Sequence, residues 1–109
     1  MDTPTAIAAL AALAQETRLA IFRLLVQAGP EGLAASRIAT TLAIPASSLS
    51  FHLKELSQAG LIAPQQQGRF IIYAAQFGTM GDLIAFLTEN CCGGNSCAPS
   101  SEPFCCPPA

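Results

Sequence analysis

Apolar residues recur at helical spacing along the first sixty positions, alternate with polar ones for about fifteen, and then return to helical spacing. Thr3-Pro4 predicts a helix start, with Thr3 as cap and Pro4 at the first helical position, and Ile7, Leu10 and Leu13 carry the helix to about Ala14. Its small, weakly polar residues suit an interface better than a solvent face. A second helix follows through Leu19, Ile21, Phe22, Leu24, Leu25 and Val26, ended by a left-handed cap at Gly29 and by Pro30. A short third helix is predicted over Ala34 to Leu42, with Ile38 and Leu42 inward. Ala43, Ile44 and Pro45 then lead into a fourth helix at 46–59.

That fourth helix organises the rest. Leu49, Leu53 and Leu56 form a narrow apolar stripe, while Ser47, Phe51, Lys54 and Gln58 share the opposite face. Pro45 suits its first turn and Gly60 a left-handed end. Serines are poor helix formers, yet Ser47, Ser48 and Ser50 crowd the start. Short hydroxyls are useful where a large partner comes close and accepts hydrogen bonds. A short helix, a tight turn and a second helix with polar tips is the helix-turn-helix pattern, whose second helix enters the major groove of duplex DNA. An amphipathic helix with a serine-rich start is the plainer alternative.

After Gly60 the period falls to two. Leu61, Ile62 and Ala63 precede a polar turn at Gln65, Gln66, Gln67, Gly68 and Arg69, and Phe70 to Tyr73 form the return strand. A hairpin directly behind a recognition helix reads as a wing, with Arg69 near its tip within reach of a phosphate or minor groove. A last helix from Met80 to Asn90 places Leu83, Ile84 and Leu87 on one face beside Phe86. So short a helix needs a partner, and pairing with its symmetry mate beside the first helix gives a two-fold homodimer. The predicted fold is mainly α with a β-hairpin wing: a winged helix-turn-helix of four helices, two strands and a fifth helix.

Composition changes this picture in two ways. The 109 residues suit one modest core, and with half of them apolar and 11% charged, part of the apolar surface is expected to close against a second copy. A net charge of −2 weighs mildly against nucleic acid, but Arg37, Lys54 and Arg69 all fall in or beside the recognition unit. The expected result is moderate DNA affinity with a shallow salt dependence. The chain lacks a run of about twenty apolar residues and a signal-peptide pattern, which predicts a cytoplasmic protein.

The order of elements and several stretches resemble the ArsR (ArsR/SmtB) family of winged-helix repressors. They are Leu13-Ala14, Thr17-Arg18-Leu19 to Leu24-Leu25, Ser47-Ser48-Leu49-Ser50-Phe51-His52-Leu53-Lys54-Glu55-Leu56, and Ala59-Gly60-Leu61-Ile62, completed by the hairpin arginine and Tyr73. The resemblance covers roughly residues 5 to 90. It implies a dimeric repressor released from operator DNA by a metal, metalloid or redox signal, with Ser47, Ser48, Ser50 and His52 meeting the DNA. His52 also reads as a capping or packing histidine. Phe51 departs from the basic or polar residue common there, and would touch a thymine methyl.

The signal is read from the cysteines. Many arsenic sensors of the family carry a Cys-Val-Cys motif in the third helix, where this chain has Ala34, Ala35 and Ser36; zinc sensors use histidines and carboxylates on the last helix, but His52 is the only histidine. All five cysteines lie in the tail, as Cys91, Cys92, Cys97, Cys105 and Cys106. The chain therefore divides into a winged-helix domain at 1–90 and a Gly-, Pro- and Ser-rich cysteine tail at 91–109, expected to stay flexible until something organises it. Thiolates select soft ions. Cys91, Cys92 and Cys97, with Gly93-Gly94 allowing the chain to fold back, suit three-coordinate As(III) or Sb(III), and the tail resembles that of members with a cysteine trio after the last helix. Four of the sulfurs would also make a zinc or cadmium site, and exposed thiols would also serve a redox switch. Cys105 and Cys106 read as additional ligands, as a dithiol for methylated arsenic, or as thiols that hand arsenic inward. An enzyme, such as a thiol oxidoreductase or arsenate reductase, needs an activated cysteine beside a basic partner, and no Arg, Lys or His follows Arg69. A metallochaperone would explain the thiols but not the helix-turn-helix.

Overall fold

Alanine at every third position decides how the first helix packs. In the computed structural model, which describes residues 1–94, α1 (Thr3–Leu13) turns Ala6, Ala9 and Ala12 inward. Ile7 and Leu10 are left on its exposed side. The cap is Asp2 rather than Thr3. Its Oδ1 accepts from the Thr5 backbone N–H at 3.0 Å, so Thr3 and Pro4 are both helical. A carboxylate is the stronger cap acceptor, and proline is tolerated throughout a first turn.

The chain then bends by 100° into α2 (Glu16–Ala28), where the Gln15 side chain caps the start by accepting from the Arg18 N–H at 2.8 Å. Ile21, Phe22 and Leu25 are its buried residues. Gly29 ends it with φ 86° but an extended ψ of −170°, not the left-handed helical cap expected. The extended ψ sends the chain towards a strand that periodicity could not reveal. β1 (Leu33–Ala34) has only two residues, and it pairs antiparallel with β3 (Phe70–Ala75) through Leu33 opposite Tyr73 and Ala34 opposite Ile72. Gly32 makes that approach possible. Its φ is +70°, and a Cβ there would stand 2.3 Å from the Tyr73 carbonyl oxygen.

Because Ala34 belongs to the strand, α3 (Ala35–Leu42) starts one residue later than expected. Ile38 is fully buried and Leu42 partly so. Ala43 reverses the chain with φ 55° and ψ 47°, and the Ile44 N–H donates to the Ala39 carbonyl at 3.0 Å. Pro45 precedes α4 (Ala46–Gln58) rather than entering its first turn, and its carbonyl accepts from Leu49 N–H. The far end of α4 closes as a paired-bond cap. Gly60, at φ 78°, donates to Ser57, Leu61 donates to Leu56, and the Leu56 and Leu61 side chains are both fully buried.

β2 (Ile62–Gln67) and β3 are joined by only Gly68 and Arg69, so Gln65, Gln66 and Gln67 are strand residues and not the turn. Gly68 alone has positive φ, as a two-residue hairpin with glycine first requires. The sheet order is β1-β3-β2. Gln76 N–H donates to the Leu61 carbonyl at 2.8 Å, which carries the chain from β3 directly into α5 (Phe77–Leu87). That helix therefore lies about three residues earlier than the predicted Met80–Asn90. Its expected single face also divides. Leu83 is buried with Met80 and Phe86 packed beside it, whereas Ile84 and Leu87 are 50% and 58% exposed. A 3₁₀ turn, Cys91–Gly94, follows. Among the described residues no helix is long and apolar enough to cross a membrane.

Candidate nucleic-acid interface and thiol pair

The helix-turn-helix is held from behind and left bare in front. Leu49, Leu53 and Leu56 anchor α4 in the core, as its stripe predicts. Ser47, Ser48, Ser50, Phe51 and Lys54 are exposed. No side chain caps the start of α4, so its first free N–H groups share that end with three serine hydroxyls, and the helix dipole adds partial positive charge. Arg37 is exposed on α3, and Arg69 is exposed at the hairpin tip. Ser50 lines one cleft with Ser36 from α3 and Ile71 from the wing, so recognition helix and wing adjoin.

His52 sits differently. It is half-buried, and its Nδ1 lies 3.3 Å from Nη1 of Arg18 on α2. Phe51 meets its ring edge-on at 5.5 Å between centroids. Arg18 also donates from Nε to the Ala12 carbonyl at 2.7 Å, which ties the end of α1 to the recognition helix. His52 thus packs between Arg18 and Phe51, set back from the exposed serines. Arg18 carries no role in the sequence pattern beyond the Thr17-Arg18-Leu19 stretch, where it is a charge at the start of an apolar run.

The thiol pair follows α5. Cys91 and Cys92 are exposed, with their sulfurs 3.6 Å apart. The turn that presents them is fastened by Cys91 N–H to the Thr88 carbonyl at 3.0 Å and Gly93 N–H to Asn90 at 3.0 Å. Asn90, Cys92 and Gly93 all take positive φ. Two thiolates about 2.3 Å from one tetrahedral zinc stand roughly 3.8 Å apart, so the pair has nearly the separation that a single thiophilic ion bridges. Cys97, Cys105 and Cys106 lie outside the described residues. Among the described residues no group of three His, Cys, Asp or Glu side chains could hold a metal ion.

Comparison with known proteins gives this geometry a family. A helix-turn-helix domain family matches residues 13–65. The structure of an ArsR-like transcriptional regulator from Rhodococcus sp. RHA1 is 30% identical, with a TM-score of 0.69 over 77% of this chain and 76% of that one. The chain belongs to the ArsR family of transcriptional regulators. HlyU from Vibrio cholerae N16961 is 26% identical, at a TM-score of 0.65 over 82% of this chain and 94% of that one. A possible transcriptional regulator for arsenical resistance is 28% identical, at a TM-score of 0.62 over 72% and 78%. No match was found among the curated proteins. This ArsR-family chain is thus a DNA-binding winged-helix regulator and not an enzyme.

Proposed function

We propose that the protein is a homodimeric repressor that leaves its operator when trivalent arsenic or antimony binds Cys91, Cys92 and Cys97. The 3.6 Å separation of the Cys91 and Cys92 sulfurs, directly after α5, is the observation that carries this reading. Two soft donors stand side by side, and Cys97 is five residues beyond Cys92, close enough in sequence to close a three-sulfur pyramid. Similarity to a possible regulator for arsenical resistance supports the same ligand.

Ser47, Ser48, Ser50, Phe51 and Lys54 read the major groove, with Arg37 and Arg69 on flanking phosphates. The exposed Ile7, Leu10, Ile84 and Leu87 are covered by the second copy. Binding releases thiol protons and draws the chain beyond α5 around the ion. Strain then passes into the α1–α5 interface, and the two recognition helices lose the spacing of successive major grooves. By linkage, DNA weakens arsenic binding by the same factor. The test is Cys91→Ser, which should bind DNA like the wild type yet remain bound when arsenite is added. Normal release of that variant would refute the assignment.

The close sulfurs also favour a redox reading. Peroxide would take two electrons and two protons from Cys91 and Cys92, leaving a disulfide and two waters. Peroxide-driven release, with no response to arsenite, would establish it instead.

A further inference from the structure

The wing carries an exposed apolar residue that neither the fold nor the reading of the helix-turn-helix uses. Phe70 is 62% exposed, the most exposed of the large hydrophobic residues among those described, and it directly follows Arg69 and the two-residue turn. Ile71 beside it is 46% exposed and lines a cleft with Ser50 of α4. A solvent-facing hairpin tip ordinarily carries polar residues. Here β2 does so with Gln65, Gln66 and Gln67, while the paired strand begins Phe70-Ile71-Ile72.

The basic complement of this surface is small. Arg37, Lys54 and Arg69 are its cations, on a chain of net charge −2. Affinity supplied by phosphate neutralisation is limited accordingly, and another contact has to contribute. Apolar side chains do this at the minor groove by entering a base step, which they unstack and bend. Flexible pyrimidine–purine steps cost least to open, so such a wedge selects sequence through deformability.

We propose that Phe70 is a DNA-contacting, specificity-determining residue: Arg69 holds the minor-groove phosphates and Phe70 wedges against a flexible pyrimidine–purine step flanking each half-site. This rests on the DNA-binding mode under Proposed function. It adds a readout of DNA shape at base pairs that the recognition helix does not reach.

The test uses full-length protein and duplexes that the wild type selects from a randomised pool, with affinity measured by fluorescence anisotropy across a salt series. Phe70→Ala should weaken binding by roughly thirtyfold or more at every salt concentration, because each copy of the dimer loses an aromatic stack. It should leave the salt slope unchanged and abolish the preference for TA or CA over AA steps in the flanks. Phe70→Trp should retain both affinity and preference. Arg69→Gln should instead lower the slope by about two for a dimer, one phosphate per copy. Thermal melting of Phe70→Ala should match the wild type, because the side chain is mostly in solvent. Wild-type affinity in Phe70→Ala, or a loss accompanied by a reduced salt slope, would overturn the wedge. If the wild type selects no sequence at all, the DNA-binding mode itself is what fails.

Discussion

Ala43 turns the helix-turn-helix corner in a left-handed conformation that suits glycine better than alanine. Its side chain is exposed, so Ala43→Gly should remove strain without removing packing, raising stability by roughly 0.5–1 kcal/mol and the melting temperature by roughly 2–6 °C. Gly32 is the opposite case, with a Cβ directed at the Tyr73 backbone and a positive φ. Gly32→Ala should cost more than about 1 kcal/mol in urea unfolding and detach β1 from the wing. Arg18 joins α1, α2 and α4 through two hydrogen bonds. Arg18→Ala should destabilise by about 1–3 kcal/mol, more than His52→Ala, which spares the bond to Ala12. Arg18→Lys should not rescue it, because one ammonium cannot reproduce the guanidinium fork. At Asp2, hydrogen bonds from Thr5, the side-chain one first, hold the carboxyl below its ordinary value. That cap therefore stabilises α1 fully above the ordinary aspartate pKa and is lost as pH falls through the lowered one. Asp2→Asn should flatten that acid limb in helicity followed by circular dichroism.

At the level of elements, the periodicity that predicts α4 also predicts what it buries. Leu49→Ala should cost about 2–5 kcal/mol and abolish DNA binding through loss of the helix, not of a contact. Lys54→Gln should leave stability unchanged while reducing both affinity and salt slope. The recognition helix and hairpin were legible because a buried stripe and a two-residue alternation are strong signals. β1 was not, because two residues have no period and its partner lies almost forty positions away. The start of α5 was obscured by Gly78 and Gly81, which weaken the helical pattern where β3 hands the chain on. The place of His52 was hidden for a different reason: its partner Arg18 is thirty-four residues distant. Nothing in the local spacing of α4 separates a histidine facing DNA from one facing an arginine.

For the whole molecule, the proposed dimer surface gathers exposed Ile7 and Leu10 of α1 and Ile84 and Leu87 of α5, two helices already in contact. The helical spacing of the last helix predicts this surface but puts Leu83 on it, and Leu83 belongs to the core. A stable dimer needs about 800 Å² from each partner, which makes continuity across both helices important. Ile84→Glu should give a folded monomer by sedimentation, with operator affinity lost because two half-sites are no longer engaged together. The coupling of this surface to the thiols is short. Thr88 caps the end of α5 by donating from Oγ1 to Ile84 at 2.8 Å, and its carbonyl accepts from Cys91. Movement of the thiol turn thus reaches the interface within one helical turn. The most direct measurement is fluorescence anisotropy of the wild-type dimer on its operator while arsenite, antimonite, zinc, cadmium and hydrogen peroxide are titrated in separate experiments. Release by arsenite and antimonite near one equivalent per protomer is the expected result. Release only by zinc or cadmium, or only by peroxide, would contradict it.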